Sequence, residues 1–391
     1  MERSWLTPNL KVLSGVSLLQ DAASELVYPV LPIFLTVTLG APAAVVGVVE
    51  GVAEGVAALT KLLAGRLSDR VGRRPLIAVG YGLAALGKLL VAVASAWPVV
   101  LAGRAVDRLG KGVRGAPRDA LLMVDADPAA RGRVFGFHRA ADTTGAVVGP
   151  ALGLGLYEAL GHHLRPLLVV AVVPAVLSVL LVAAVRDPGA ARSRSKVSVA
   201  SPLGLSADLR RLLLVLGLFS LVNFPDALLL LRAHDLGLST GAVIGAYIVY
   251  NAVYAAASYP AGALSDRWPR HRVFAAGLGF FAVGYLGLSL AGRPWLVFVL
   301  LPLYGGFAAC TDGVGKAWVA GLAPADGQGA VQGLYQALTG GAVLVSGLWA
   351  GLAWGGDGRV PLLLAGTVGL VMTAGLLACG GRLVCQPARR T

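Results

Sequence analysis

The chain lacks the residue patterns of the usual soluble enzymes and nucleotide hydrolases. It has only three cysteines, Cys310, Cys379 and Cys385, and their spacing fits neither a structural disulfide nor a metal centre. No Gly-x-x-x-x-Gly-Lys-Ser/Thr loop occurs, so ATP is not expected as an energy source. A serine-nucleophile motif and a metal-ligand motif are also missing, which disfavours an enzyme.

Two further absences concern the apolar stretches. They lack strand-like alternation, and the first twenty residues lack a small-residue cleavage site, so the first stretch is expected to be retained as a helix. Hydrophobic residues make up 57% of the chain, against about 45–50% in soluble proteins. A membrane-spanning helix needs about 20 apolar residues. The sequence predicts twelve such helices, at 10–38, 43–65, 75–95, 97–122, 131–158, 164–185, 208–234, 239–264, 271–291, 295–320, 327–355 and 359–380.

The net charge of +13 is placed asymmetrically rather than in a nucleic-acid-binding patch. On the twelve-helix topology, most Lys and Arg fall in loops on one side, and the other side has only Arg165, Arg232, Arg293 and Arg359. Short loops rich in Lys and Arg remain cytoplasmic. The basic composition therefore predicts that both termini are cytoplasmic, and no nucleic-acid partner is expected.

An internal repeat divides the chain. Residues 65–75 and 262–272 each close an apolar run with an Arg-rich turn that contains Leu-Ser-Asp-Arg, at an offset of 197 residues. The polar, basic segment 186–207 lies between the copies, so we predict two six-helix halves, 1–185 and 208–391, joined by a cytoplasmic linker. At the same offset, Asp142 corresponds to Thr339. The N-terminal half is therefore expected to carry coupling chemistry and the C-terminal half mainly to shape a cavity.

Three motifs, in order along the chain, resemble those of the major facilitator superfamily. The loop motif comprises Gly65, Asp69, Arg70, Gly72 and Arg73, and its second copy, with Asp266 and Arg267, departs from the pattern at Pro269. Arg104 with Gly110 and Gly112 is similar to the fourth-helix motif. The fifth-helix motif, which is associated with antiporters, is matched by Gly145, Gly149, Pro150 and Gly153.

The resemblance implies an all-α integral membrane fold with twelve transmembrane helices in two pseudo-symmetric bundles. It also implies that Asp69 bonds the start of a neighbouring helix in one conformation and releases it in the other, with Arg70 and Arg73 as partners. The segment Asp107–Asp119 resembles a bacterial subgroup of exporters, so the bacterial cytoplasmic membrane is the expected location.

Charges inside the predicted helices supply the candidate site. A charge at the bilayer centre is costly, so it faces partners or water. In a low-dielectric setting a carboxyl group takes up a proton nearer neutral pH, and a histidine titrates there as well. The proton-coupling candidates are Asp21, Glu25, Glu54, His138 and Asp142.

The remaining polar groups are predicted to line a substrate cavity. At about 100° per residue, the seven charges between Arg104 and Asp119 fit an arc of roughly 140°. Tyr247, Tyr250 and Asn251 share a face of predicted helix 8. The alternative is that these groups only pair and fasten helices together. The cavity candidates are Glu50, Arg104, Arg108, Lys111, Arg139, Asn223, Asp226, Tyr247, Tyr250, Asn251, Tyr304 and Tyr335.

The leading hypothesis is a monomeric secondary transporter that exports a small molecule or ion in exchange for protons by alternating access, without a cofactor. A membrane enzyme is a second possibility. A divalent-metal exporter is a third, since Asp21, Glu25, Glu50, Glu54, His138 and Asp142 offer oxygen and imidazole ligands. The abundance of arginine would instead suit an anionic or zwitterionic substrate.

Overall fold

A computed structural model gives the fold. It describes residues 5–28, 30–31, 34–41, 45, 49, 52–53, 55–57, 59–61, 63–64, 71–124, 126–161, 163–187, 205–324, 327–355 and 357–383. Within these ranges the chain is helical and contains no strand. Glu50, Glu54, Gly65, Asp69, Arg70 and most of the predicted linker lie outside the described residues.

The helices follow the predicted order, and we number them by the twelve predicted helices. The described residues between 45 and 64 are helical and form α2. The other helices are α1 (Pro8–Val27), α3 (Arg73–Ala92), α4 (Trp97–Val124), α5 (Arg131–Ala159), α6 (Leu164–Val182), α7a (Ala207–Ser220), α7b (Asp226–Asp235), α8 (Thr240–Arg267), α9 (Arg270–Leu290), α10 (Val297–Leu322), α11 (Gln328–Leu352) and α12 (Arg359–Leu383).

Two predicted helices are not continuous. The first, predicted over 10–38, ends at Val27, and Phe34–Thr38 is a separate π-helical segment. The seventh, predicted over 208–234, is interrupted between Ser220 and Asp226. Proline explains the second break, because Pro225 has no backbone N–H and disfavours helical geometry at the residue before it. Pro29 and Pro32 similarly follow the end of α1 in the sequence.

The 197-residue repeat reappears in the helix boundaries. Arg73 and Arg270, the first residues of α3 and α9, are 197 positions apart (270 − 73). Arg131 and Gln328, which begin α5 and α11, have the same separation (328 − 131). The duplication is therefore present in the structure as well as in the sequence.

The chain forms two compact units. Unit 1 comprises Met1–Ala126, Ala141–Val197 and Ala325–Ala337, and unit 2 comprises Asp127–Ala140, Ser198–Pro324 and Leu338–Thr391. The start of α5 thus groups with unit 2, and the start of its duplicate α11 groups with unit 1. The division at residues 186–207 stays a prediction.

Six helical segments in the described part of the chain are long and apolar enough to cross a membrane. They are Arg73–Ala92, Leu164–Val182, Ala242–Arg267, Arg270–Leu290, Pro294–Leu322 and Arg359–Ala378. Helix α4 is of similar length but carries the predicted stripe of charges. Large apolar side chains are exposed along these segments, for example Leu180, Leu290 and Val371, as expected of surfaces that face lipid.

Candidate functional site

Close packing of α3 on α4 fixes the charged face of α4 in unit 1. A Cβ atom at Gly80 would lie 2.7 Å from the carbonyl oxygen of Gly110, and one at Gly87 would lie 2.5 Å from that of Gly103. Only glycine permits this approach, as is common where helices pack in lipid. This close approach holds the face of α4 that carries Asp107 and Arg114 against α3.

Lys88 on α3 enters this interface and pairs with Asp107. Its Nζ lies 2.9 Å from Asp107 Oδ1, and the two side chains are only 4% and 6% exposed. Arg104 Nη1 lies 3.7 Å from the other carboxylate oxygen. With Ser24 and Val27 of α1, these three side chains line a small cavity. The Asp107 carboxylate thus forms ion pairs with two cations inside unit 1.

A second cluster surrounds Arg118, six residues before the end of α4 (124 − 118). Its Nε lies 3.2 Å from Asp119, and its Nη1 donates to Ser17 Oγ at 2.9 Å. The same Nη1 lies 4.0 Å from Asp142 of α5. Gln336, at the start of α11, donates to the other oxygen of Asp119 at 3.0 Å. Arg118 is therefore held tightly by one acid and loosely by a second.

The fifth-helix glycines pack on α1 beside its two acids. A Cβ at Gly145 would lie 2.5 Å from the carbonyl oxygen of Leu18 and 2.9 Å from Asp21 Cβ, and one at Gly149 would lie 3.0 Å from Glu25 Cβ. The predicted motif therefore sets the distance between α5 and the segment of α1 that carries Asp21 and Glu25. Both acids are half-buried.

Unit 2 contains a carboxylate in an aromatic setting. Asp226, the first residue of α7b, accepts hydrogen bonds from Tyr250 at 3.0 Å and from Tyr304 at 2.9 Å. The two rings stack with centroids 5.4 Å apart, and Tyr304 also reaches Asn223 Oδ1 at 3.4 Å. The break in helix 7 places Asp226 here, because the chain resumes its helix at that residue. Tyr247 packs on Tyr250 at 5.7 Å.

Arg139 of α5 belongs to the same unit. It pairs with Asp312 of α10 at 2.9 Å, and the hydroxyl of Tyr254 bonds to both side chains. This pair differs from the expectation that the C-terminal half mainly shapes a cavity. The C-terminal half supplies acids, Asp226 and Asp312, in addition to aromatic and neutral polar groups.

The second copy of the loop motif caps a helix. Asp266 Oδ1 accepts from the backbone N–H of Gly132 at 2.7 Å, and Oδ2 accepts from that of Arg133 at 2.9 Å. An acid at a helix N-terminus is favoured by the helix dipole. Gly262 permits the approach, because its Cβ would lie 2.2 Å from the carbonyl oxygen of Gly132.

In the first copy, the described residues sit beside α6. Gly72 has a φ of 97° and precedes α3. The N–H groups of Arg73 and Arg74 donate to Asp187 Oδ2 at 2.8 and 3.0 Å. Asp187, just after α6, therefore caps α3.

The other predicted residues divide between buried and exposed positions. His138, Asp142, Arg104 and Asn251 are buried, and Asn251 donates to the carbonyl oxygen of Tyr247 in its own helix at 3.0 Å. Arg108 and Tyr335 are half-buried, whereas Lys111 and Arg267 are exposed. Pro150 and Gly153 lie within α5. Among the described residues, no three His, Cys, Asp or Glu side chains converge as metal ligands would.

Two site residues were missed by the sequence reasoning. Lys88 was not singled out, although it is the only charged residue of α3 after Arg73 and Arg74 in its first turn, and a charge among apolar residues is a signal for a functional group. Asp312 is likewise absent from the candidates that the sequence supplies. Its partner Arg139 lies far away in sequence, so spacing alone gave no sign of the pair.

Comparison with known proteins places this fold and these motifs in one family. The model of the Major Facilitator Superfamily matches residues 13–231 and 212–382, one match for each repeat. An uncharacterized MFS-type transporter of Methanocaldococcus jannaschii is 29% identical over 356 residues, which cover 89% of each chain. A tetracycline resistance protein, class C, of Escherichia coli is 28% identical over 376 residues, covering 88% of this chain and 92% of that protein.

The crystal structure of the human organic anion transporter MFSD10 superposes with a TM-score of 0.77, covering 95% of this chain and 100% of that chain. At 20% identity this likeness shows the fold alone. The family and the fold are those of carriers rather than enzymes, and their helices cross a membrane several times. The chain belongs to the major facilitator superfamily and is a multi-pass membrane transporter of small molecules.

Proposed function

We propose that the protein exports a small organic molecule in exchange for protons by alternating access. The observation that carries this proposal is the arrangement of Asp142, Arg118 and Asp119 in unit 1. Asp142 is buried, its ion pair with Arg118 is long at 4.0 Å, and Arg118 has a second acid, Asp119, at 3.2 Å.

This geometry makes Asp142 a suitable proton carrier. A buried ion pair normally resists protonation, because neutralising the acid leaves an uncompensated buried cation. Here Arg118 keeps Asp119 when Asp142 becomes neutral, so that cost is reduced. Protonation then releases Arg118 from α5 without stranding its charge. Asp21 and Glu25, on the face of α1 that packs on the α5 glycines, are the secondary candidates, with His138 and Glu54.

The loop motif supplies the conformational switch in this proposal. Asp266 caps the start of α5 through Gly132 and Arg133. At the 197-residue offset, Asp69 would cap the start of α11 through Gly329 and Ala330. Breaking these two caps would free the first turns of both helices, and protonation of the site would be coupled to that release.

The names of relatives support export. A protein similar over most of this chain is a tetracycline resistance protein, and a multidrug resistance protein, MdtH, of Edwardsiella ictaluri is 32% identical over 127 residues. We therefore place the protein in the cytoplasmic membrane of a bacterium, with both termini inside, and expect it to act as a monomer.

The experiment uses cells with and without the gene. A growth-inhibition panel that includes tetracycline and ethidium identifies a compound to which the gene gives resistance. Everted vesicles from the same cells are then acidified inside by respiration and followed with a pH-sensitive acridine dye. Adding the compound should raise the internal pH, because export into the vesicle lumen releases protons. Accumulation of the compound with no change in internal pH would contradict proton coupling.

A further inference from the structure

Arg114 is a deeply buried cation of the α4 stripe. Arg114 is only 5% exposed, and among the described residues its buried Nη1 atom has no hydrogen-bond partner. The guanidinium lies over the ring of Tyr81, 4.4 Å from the centroid. This cation–π contact satisfies the face of the guanidinium but not its N–H donors.

Two other cations of α4, Arg104 and Arg118, form ion pairs with acids, whereas Arg114 forms none with the described residues. Arg104 has Asp107 at 3.7 Å, and Arg118, one turn further along, has Asp119 at 3.2 Å. Within the described part of the chain, no acidic side chain forms an ion pair with Arg114. A buried charge without a counter-charge is among the most costly features that a membrane protein can contain. Such a group is retained where a ligand supplies the missing charge.

Further hydrogen-bond donors lie close to Arg114. The hydroxyl of Tyr81 lies 3.1 Å from Ser17 Oγ, and Arg118 Nη1 lies 2.9 Å from the same Ser17 atom. Arg114 and Arg118 therefore flank one Tyr81–Ser17 pair from the same face of α4. The N–H donors of Arg114, with these hydroxyls nearby, suit the oxygens of a carboxylate, a sulfonate or a phosphate.

The depth of Arg114 fits a substrate site. It is the eighteenth residue of the 28-residue helix Trp97–Val124 (114 − 97 + 1), so it lies roughly 5 Å from the helix midpoint at 1.5 Å per residue. Carriers of this architecture bind substrate near the middle of the bilayer. A cation placed only to set topology would lie at an end of the helix.

We propose that Arg114 binds an anionic group of the transported molecule, with Tyr81, Ser17 and Arg118 beside it, so that the substrate is an organic anion. This inference rests on the proposed transport function, since it names the substrate class of that site. It does not require proton coupling. In this proposal Arg114 pairs with the anionic group of the substrate, whereas Arg118 pairs with Asp119 and Asp142.

Binding is tested on the full-length protein purified in detergent, by thermal unfolding and by intrinsic tryptophan fluorescence. The probes are sodium benzoate, sodium benzenesulfonate and sodium phosphate, with sodium chloride at matched ionic strength and neutral benzyl alcohol as controls. Benzoate or benzenesulfonate should give a saturable rise in melting temperature that benzyl alcohol does not give. A response to phosphate alone would identify a phosphoryl group as the anion. No saturable response to any of the three anions would overturn the proposal.

Arg114→Gln and Arg118→Gln form a matched pair on one helix. Because Arg114 forms no ion pair with the described residues, Arg114→Gln should leave the melting temperature without ligand unchanged or higher, while it weakens anion binding at least about tenfold. Arg118→Gln should lower that melting temperature, because it removes the cation that pairs with Asp119 and Asp142. An Arg114→Gln protein that binds benzoate as the wild type does, or that melts at a lower temperature than Arg118→Gln, would show a structural cation instead.

If Arg114→Gln cannot be purified, Arg114→Lys keeps the charge but loses the planar donors, and it should still weaken binding of the anion. Unchanged affinity in Arg114→Lys would reject the site. These measurements use no pH gradient. They therefore distinguish a failure of the anion site from a failure of proton-coupled export, which the vesicle experiment reports separately.

Discussion

At the scale of single residues, Asp107 holds two cations, and this sets an order of stabilities. Asp107→Asn leaves Lys88 and Arg104 buried without their acid, so the free energy of unfolding should fall by about 3–5 kcal/mol. Lys88→Met should cost less, because Arg104 still neutralises Asp107. Thermal unfolding of the detergent-purified variants measures both. Equal melting temperatures for the two variants would contradict the shared-carboxylate arrangement.

Residue periodicity predicted which charges share a face, but not which charges pair. Of the seven charges in the predicted arc of α4, Arg104, Asp107, Arg114 and Asp119 are buried, Arg108 and Arg118 are half-buried, and Lys111 is exposed. The pairs within α4, Arg104–Asp107 and Arg118–Asp119, are neighbours in sequence, but a partner on another helix was not predictable. Arg139 meets Asp312, which is 173 positions away in sequence (312 − 139). Helical spacing contains no information about such contacts.

At the scale of helices, the contact between α1 and α5 depends on the absence of side chains. Gly149→Ala would place a Cβ 2.6 Å from the carbonyl oxygen of Ala22 and should destabilise the protein by about 1–3 kcal/mol. The control is Gly155→Ala on the same helix, where no atom lies within 4 Å of the added Cβ. Melting temperatures test the difference. A Gly155→Ala variant as unstable as Gly149→Ala would point to helix geometry rather than packing.

Substitutions at Asp266 and at its counterpart Asp69 test whether the loop acids act through the start of a helix. Asp266→Asn weakens two hydrogen bonds to the start of α5 by removing the charge of the acceptor. Asp69→Asn is the change at the matching position of the first repeat, where we propose an equivalent cap. Both variants should insert and fold but transport more slowly. Asp208→Asn, an acid in the first turn of α7a, serves as the control. Normal rates in both motif variants would mean that these acids have no part in the switch.

Hydropathy predicted where most helices lie but failed at the two interrupted ones. Apolar composition continues through the breaks, so a count of apolar residues does not detect them. Pro225 was the available signal for α7, and its consequence is functional, because the break places Asp226 against Tyr250 and Tyr304. Arg232 of α7b was interpreted only as an external-side charge. It is buried and donates to the carbonyl oxygens of Leu288, Ala291 and Asp357.

At the scale of the whole molecule, the internal repeat predicted the paired architecture, and the helix boundaries confirm the offset. The orientation in the membrane is a prediction from the basic loops. A reporter fused near Ser195 should read as cytoplasmic, and one near His162 as external, because Lys and Arg are concentrated in the loops on the Ser195 side. Reporter enzymes active on only one side of the membrane measure this. A reversed pair of readings would reject the topology.

Proton coupling through Asp142 is the central claim, and uphill transport in proteoliposomes tests it most directly. The labelled compound is one to which the growth panel shows resistance, and the driving force is an imposed pH gradient. Asp142→Asn should abolish accumulation against the gradient but retain downhill exchange, because Arg118 keeps Asp119 and the fold is preserved. Asp208→Asn should behave as the wild type does. Gradient-driven accumulation at the wild-type level in Asp142→Asn would show that Asp142 does not carry the proton.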